Sequence, residues 1–314
     1  MNEILRTISN IGIVPVVTLD DADKAVPLAR ALVAGGLPVA EITFRAAAAG
    51  DAIRAIVDTV PEMLVGAGTV LTPEQLDQAL EAGARFVVSP GFNPEMVKYG
   101  LSKGALMLPG TATGGEMEQA MSLGLEAVKF FPAEQNGGIA KLRALAGPYR
   151  KLKWMPTGGI NGGNLAEYLS FPQVIACGGT WMVKKELIEE ERWSEITCIC
   201  KEAVRTMLGF TLAHVGINCG DEKEAWQTAD TLRGFFGWDR RDGRSSVFAG
   251  TAVECMKAPG RGEKGHIAVG TDSLDRAIYH MGLKGVEFDE STRSSKAIYL
   301  KHQVGGFALH LVQR

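Results

Sequence analysis

Between Ile11 and Gly179 the chain alternates short, apolar, β-rich runs with helical stretches, and it does so eight times: IGIVPVVT, PVAEITFR, MLVGAGTV, ARFVVSP, ALMLPGT, EAVKFFP, KWMPTGGI and VIACGG. Near-continuous apolar strands separated by helices are what a parallel sheet covered on both faces requires, and eight of them predict a closed (β/α)8 TIM barrel. A doubly wound open sheet is the runner-up. It would want Gly-x-Gly-x-x-Gly after the first strand, whereas that strand ends in Val17-Thr18-Leu19-Asp20.

Side chains at alternate positions of a barrel strand point inward, and the C-terminal strand ends form the working face. In the sixth run, Glu-Ala-Val-Lys-Phe-Phe-Pro-Ala-Glu, the alternation puts Lys129 and Phe131 on one side and Val128 and Phe130 on the other. A lysine inside an apolar run is costly to keep charged, and burial favours the neutral amine, a nucleophile able to form a Schiff base with a carbonyl. Taken alone, one lysine beside two phenylalanines reads equally well as a strand-end residue whose charge reaches water. The second run places Glu41, Thr43 and Arg45 on one face by period two, which would bring a carboxylate and a guanidinium to the barrel mouth together. The third, fourth and fifth runs end in Gly-Ala-Gly-Thr69, Ser-Pro-Gly91 and Pro-Gly-Thr111, each by itself an ordinary strand-to-helix turn. The seventh and eighth end in Thr157-Gly158-Gly159 and Gly178-Gly179-Thr180. Glycine pairs in the loops after strands seven and eight of a barrel suit an anion, because those loops are a common phosphate site.

The series AEITFR, GAGTV, SPG, VKFFPAE, PTGGI and GGTW, in this order and spacing, resembles the class I aldolases that cleave 2-keto-3-deoxy-6-phosphogluconate and 4-hydroxy-2-oxoglutarate. The resemblance covers about residues 5–207. It implies that Lys129 is the Schiff-base lysine and Glu41 the proton acceptor, with Arg45 and Thr69 holding the pyruvate carboxylate. It also implies that Thr157, Gly158, Gly159, Gly178, Gly179 and Thr180 lie toward the phosphate end, that the substrates are small oxo-acids, that no cofactor is needed, and that the barrels form a homotrimer. Two departures stand out: Ala46 where the family often has threonine, and Thr180 where it often has serine. A phosphate-binding isomerase using Glu41 alone is the rival, and it would not trap pyruvate on a lysine.

Lys184–Leu208 reads as the last barrel helix, stopped by Gly209, so the first domain spans 1–207 and the second 210–314. The second repeats internally. Ala213-His214-Val215-Gly216-Ile217 returns as Gly265-His266-Ile267-Ala268-Val269, a separation of 52 residues, and each copy continues with an acidic helix start, an amphipathic helix and a strand-rich remainder. The unit is βαβββ, twice, an α+β domain. A ligand-type residue stands on the last strand of each copy, Glu254 in AVECM and His310 in FALHLVQ, 40 and 44 residues beyond the repeated histidine. A pseudo-twofold axis would gather three imidazoles and a carboxylate around one point, a set suited to zinc, iron, nickel, manganese or cobalt. This resembles the vicinal oxygen chelate superfamily of glyoxalase and extradiol dioxygenase type, whose metal positions fall on His214, Glu254, His266 and His310. His310 departs from the usual glutamate. The alternative is a domain that binds a metabolite or aids assembly without catalysis. His280 and His302 read as structural.

Composition narrows the rest. Residues 1–207 carry 19 Lys+Arg against 23 Asp+Glu and the remainder 14 against 13, so neither part is a nucleic-acid-binding surface by charge. Five cysteines with no CxxC pair argue against a disulfide framework or zinc finger and suit a reducing cytoplasm. No leader-like N-terminus and no run of about 18 apolar residues is present, so no membrane association is expected.

Overall fold

The computed structural model describes residues 1–314 and divides between Met207 and Leu208 into two compact units. In the first, α1 (Glu3–Ile11) precedes β1 (Ile13–Val17), α2 (Ala25–Ala34), β2 (Val39–Thr43), α3 (Ala49–Thr59), β3 (Leu64–Gly68) and α4 (Pro73–Glu81). Then follow β4 (Phe86–Ser89), α5 (Pro94–Ser102), β5 (Met107–Thr111), α6 (Gly114–Ser122), β6 (Ala127–Phe130), α7 (Gly138–Ala146) and β7 (Lys153–Pro156). The unit ends with α8 (Leu165–Leu169), β8 (Cys177–Gly179), α9 (Lys185–Glu189) and α10 (Trp193–Leu208).

The eight strands pair in parallel in the order β7-β6-β5-β4-β3-β2-β1-β8. Two isolated parallel bridges, Trp154 to Val174 and Thr157 to Gly178, join β7 to the segment of β8 and close the barrel. Each strand coincides with one of the eight apolar runs and is buried along nearly its whole length, as helices outside and side chains inside require. Local chemistry sets the helix starts. Thr72 and Asn93 cap α4 and α5 ahead of a proline, and Thr113 with Glu116 forms a capping box at α6.

Three boundaries differ from the sequence reading. β2 stops at Thr43, so Arg45 lies in the turn before α3 and is exposed, not the third inward residue of a strand. β6 stops at Phe130, and a cis Phe131–Pro132 bond follows. The helix expected over 184–208 breaks into α9 and α10, because Glu191 takes a left-handed backbone (φ 55°) between them. Periodicity over a Glu- and Lys-rich stretch does not register a single left-handed residue.

The second unit contains β9 (Thr211–Asn218), α11 (Glu222–Phe236), β10 (Arg240–Asp242), β11 (Ser246–Ala249) and β12 (Val253–Met256). The same βαβββ order returns as β13 (Gly265–Thr271), α12 (Leu274–Gly282), β14 (Phe288–Asp289), β15 (Ala297–Val304) and β16 (Phe307–Gln313). One mixed sheet results, β10-β11-β12-β9-β13-β16-β15-β14, with the two repeats meeting at the antiparallel pair β9/β13. Val247, Ala249 and Cys255 turn to one face and pack with Ala225 and Ala229 of α11. By alternation Phe248 and Glu254 project from the other. His280 is buried on α12 and His302 exposed on β15. Among all helices of the chain, none is long and apolar enough to cross a membrane.

Candidate functional site

Inside the barrel, Lys129 Nζ donates to Glu41 Oε1 at 3.1 Å, with Lys129 4% and Glu41 0% exposed. The second carboxylate oxygen, Oε2, is buried and has no hydrogen-bond partner. An unpaired buried acceptor is expensive, so this atom is a place where a ligand proton or hydroxyl is favoured. The pair fits because β3 makes room for it: a Cβ on Gly68 would stand 2.3 Å from Glu41 Oε1. The residue after it, Thr69, has φ 54°, a left-handed conformation that a β-branched residue adopts at a cost of about 1–3 kcal/mol. That strained residue directly follows the glycine that packs against the buried pair.

Phe131 lies beyond the strand, yet its ring centroid is 5.1 Å from Lys129 Nζ, so the expected neighbourhood holds though the strand alternation does not extend that far. Thr43 is fully buried and shares a 2.8 Å hydrogen bond with Thr18 at the mouth. Thr111 Oγ1 donates to the Lys129 carbonyl at 3.1 Å, tying β5 to β6 beside the amine.

The glycine pairs stand where the runs put them. Gly158 and Gly159 have φ 99° and 80°, and the amides of Ala133 and Glu134 donate to the carbonyls of Thr157 (2.8 Å) and Gly158 (3.1 Å). Asn161 and Asn164 both donate side-chain N–H groups to the Gly159 carbonyl, at 3.2 and 3.1 Å. Thr157 is buried and bridged to Gly178 of β8, Gly179 is buried and Thr180 is exposed. Tyr168 of α8 donates to Glu134, and burial, then this bond to a carboxylate, pushes its phenol up. The sequence reading missed this clamp, because a tyrosine and a glutamate 34 residues apart give no local indication of contact.

The comparisons with known proteins decide what kind of barrel this is. Residues 2–199 match the model of the KDPG and KHG aldolases. The chain belongs to the KDPG and KHG aldolase family. It is therefore an enzyme of the carbon–carbon lyase class, not the isomerase that was the rival reading. It is 47% identical over 205 residues to a 2-dehydro-3-deoxy-phosphogluconate aldolase of Treponema pallidum, covering 65% of this chain and 98% of that protein. It is 45% identical over 192 residues to the KHG/KDPG aldolase of Escherichia coli K12, covering 61% and 90%. Among solved structures it is similar to a KDPG aldolase from Legionella pneumophila with pyruvate captured as a covalent carbinolamine (TM-score 0.62, 39% identity, 63% of this chain and 97% of that one). The family's aldolase unit thus corresponds to the barrel alone.

In the second unit, all four residues singled out from the repeat come together. His214 Nε2 is 3.2 Å from His266 Nε2, and Glu254 Oε2 is 3.2 and 3.0 Å from the same two atoms. A ring nitrogen of His310 lies within 4.8 Å of those of His214 and His266. Two ligands held at about 2.1 Å from one cation sit about 3–3.4 Å apart, so these separations suit a coordination shell. His310 is buried with neither ring nitrogen hydrogen-bonded, and one of those unpartnered nitrogens is the atom that lies near the other two imidazoles. Burial, then the neighbouring imidazoles of His266 and His214, pushes His310 down to about 4, which leaves a lone pair free at neutral pH. Burial opposes ionisation of Glu254, but hydrogen bonds with His214, His266 and Ser246 outweigh it and hold the carboxyl well below the usual range.

Three supporting features were not read from the sequence. Ser246 Oγ donates to Glu254 Oε1 at 2.6 Å and leaves Oε2 facing the histidines. Gly216 lies between Glu254 and His266 on adjacent strands, and a Cβ there would stand 2.0 Å from His266 Cε1. Tyr299 stacks on His310 at 4.6 Å and 11°. The donor set fits a divalent cation by chemistry, by spacing and by the unpartnered atoms of His310.

Proposed function

We propose that the barrel cleaves 2-keto-3-deoxy-6-phosphogluconate to pyruvate and glyceraldehyde 3-phosphate, and 4-hydroxy-2-oxoglutarate to pyruvate and glyoxylate, through a Schiff base on Lys129. The buried Lys129–Glu41 contact carries the reading. The uncharged amine of Lys129 adds to the carbonyl at carbon 2, and loss of water gives a protonated imine. Glu41, whose Oε2 is unpartnered, takes the proton from the carbon-4 hydroxyl. The carbon 3–carbon 4 electron pair then moves into the imine, the aldehyde leaves, and the remaining enamine is protonated at carbon 3 and hydrolysed to pyruvate.

Arg45 and Thr69 hold the substrate carboxylate, Arg45 by swinging its fork inward from the turn after β2. Phe131 packs against the imine carbons. Thr157, Gly158, Gly159, Gly178, Gly179 and Thr180 receive the phosphate or second carboxylate at the far end. No cofactor is required. The assembly is a homotrimer of barrels, testable by light scattering, and five cysteines, none of them in a disulfide, suit a cytoplasmic setting. Pyruvate release from each substrate by wild-type protein tests the assignment, and release from neither would refute it.

For the second unit we infer a vicinal oxygen chelate domain in which His214, Glu254, His266 and His310 hold one divalent cation. A bound cation supplies Lewis-acid stabilisation of an enolate formed from a small oxo- or hydroxy-acid. Ser246 fixes the carboxylate, Gly216 admits the His266 ring, and Tyr299 orients His310. Metal content of the desalted full-length protein, beside a His214→Ala, His266→Ala double variant, tests this. One equivalent lost in the variant supports it. No metal after reconstitution with zinc, iron, nickel, manganese or cobalt would make the unit a metabolite-binding or assembly module.

A further inference from the structure

The strand registers of the second unit lay two rows of side chains across the sheet. Arg241, Phe248, Glu254, Gly216 and His266 stand opposite one another in turn on β10, β11, β12, β9 and β13. Asp289, Tyr299, His310, Ala268 and His214 do the same on β14, β15, β16, β13 and β9. The repeat thus matches position with position: Phe248 with Tyr299, Glu254 with His310, and at the outer ends Arg241 with Asp289.

Those two ends are not equivalent. Asp289 is neutralised by Arg261, whose Nη1 is 2.9 Å from its carboxylate and whose guanidinium lies 5.1 Å from the Tyr299 ring. Arg241 has no carboxylate within ion-pair distance and is exposed. Its guanidinium stands 5.0 Å from the Phe248 ring, and that ring meets His214 edge-on at 5.6 Å. One side of the four-residue cluster is therefore closed by a matched ion pair, and the other presents an unneutralised cation one aromatic ring beyond a cluster histidine.

We propose that Arg241 is an anion-binding subsite, and that the second unit takes a small acid with two anionic ends, one at the four-residue cluster and the other over Phe248 at Arg241. This rests on the metal reading of the cluster. A divalent cation held by three neutral imidazoles and one carboxylate keeps positive charge, so the inner end of the ligand is anionic, and a guanidinium fork recognises a carboxylate or phosphate at the outer end. The half-buried Phe248 ring supports the carbon chain between them.

The test uses full-length protein loaded with cobalt(II), whose visible spectrum reports ligands entering the coordination shell. Three hydroxy-acids are titrated: 2-hydroxyvalerate, with one anionic end, 2-hydroxyglutarate, with a second carboxylate, and 3-phosphoglycerate, with a phosphate. At least one of the two ligands with a second anionic end is expected to bind about tenfold or more tightly than 2-hydroxyvalerate, as a charge-assisted pair provides. Whichever gains assigns the outer end as carboxylate or phosphate. Arg241→Gln should bring the three within about threefold while leaving cobalt and 2-hydroxyvalerate affinity unchanged, and Arg241→Lys should keep part of the preference. Cobalt uptake with no preference for either doubly ended ligand, or a preference that survives in Arg241→Gln, would overturn the subsite and leave the metal reading standing. Failure to take up cobalt would overturn the metal reading and this inference with it.

Discussion

Lys129 Nζ and Glu41 Oε1 stand 3.1 Å apart across 88 residues of sequence, the side-chain nitrogen and the carboxyl group both shut inside one barrel. Burying such a pair is at best neutral for stability, because desolvation offsets the attraction. In the proposed mechanism the pair serves the chemistry: the amine becomes the nucleophile, and the carboxylate keeps one acceptor oxygen open.

The two members have separable tasks. Glu41→Gln is expected to lower turnover by about 10²–10⁴-fold, the range for losing a general base, while pyruvate is still captured on the lysine by borohydride. Steady-state rates beside mass spectrometry of the reduced adduct check this. Loss of the adduct together with the rate would assign Glu41 a part in imine formation as well.

Gly68 should tolerate no side chain. A Cβ 2.3 Å from Glu41 Oε1 must displace the carboxylate, and a shift of about 1 Å in such a group costs about 10² in rate. Gly68→Ala is expected to fold and to lose turnover by that order, read from circular dichroism and a pyruvate-release assay. Wild-type activity would show that Glu41 is not fixed by this contact.

The carboxylate in the second unit depends on Ser246. Ser246→Ala removes the 2.6 Å bond between Ser246 and Glu254 and should weaken the proposed metal binding by about 10–100-fold, as loss of an outer-shell partner does. A chelator competition titration measures it. Barrel turnover should not change in the same protein.

Much of this was legible in the sequence because it is carried by short-range patterns. Eight apolar runs predict eight strands, and a 52-residue repeat predicts two βαβββ modules and a four-residue cluster. What escaped depends on one residue's backbone or on contact across strands. Period two puts Arg45 in the barrel mouth, but the strand ends two residues earlier. Ser246, Gly216, Tyr299 and the Tyr168–Glu134 clamp are ordinary residues locally and acquire a role only through register and packing. The left-handed Thr69 is likewise silent in sequence, since no pattern marks a threonine about to take φ 54°.

Residues 1–208 alone should cleave the aldolase substrates with unchanged kinetics. The matched length of the Treponema pallidum relative is 205 residues and includes 98% of that protein, so the barrel contains what that aldolase needs. Kinetics and light scattering of the shortened chain, set beside the full one, decide whether the second unit contributes. A lost rate or altered assembly would give it a role in the barrel's own function.

The most direct measurement is borohydride reduction of full-length protein in the presence of pyruvate, followed by peptide mapping. The account predicts one reduced pyruvyl group, on Lys129, absent from Lys129→Ala and from Lys129→Arg, whose guanidinium stays charged and cannot add to the carbonyl. Because Lys129→Ala strands Glu41 without its partner, at a cost of about 3–5 kcal/mol, the mapping in wild-type protein carries the weight. An adduct on another lysine, or none at all, would contradict the assignment.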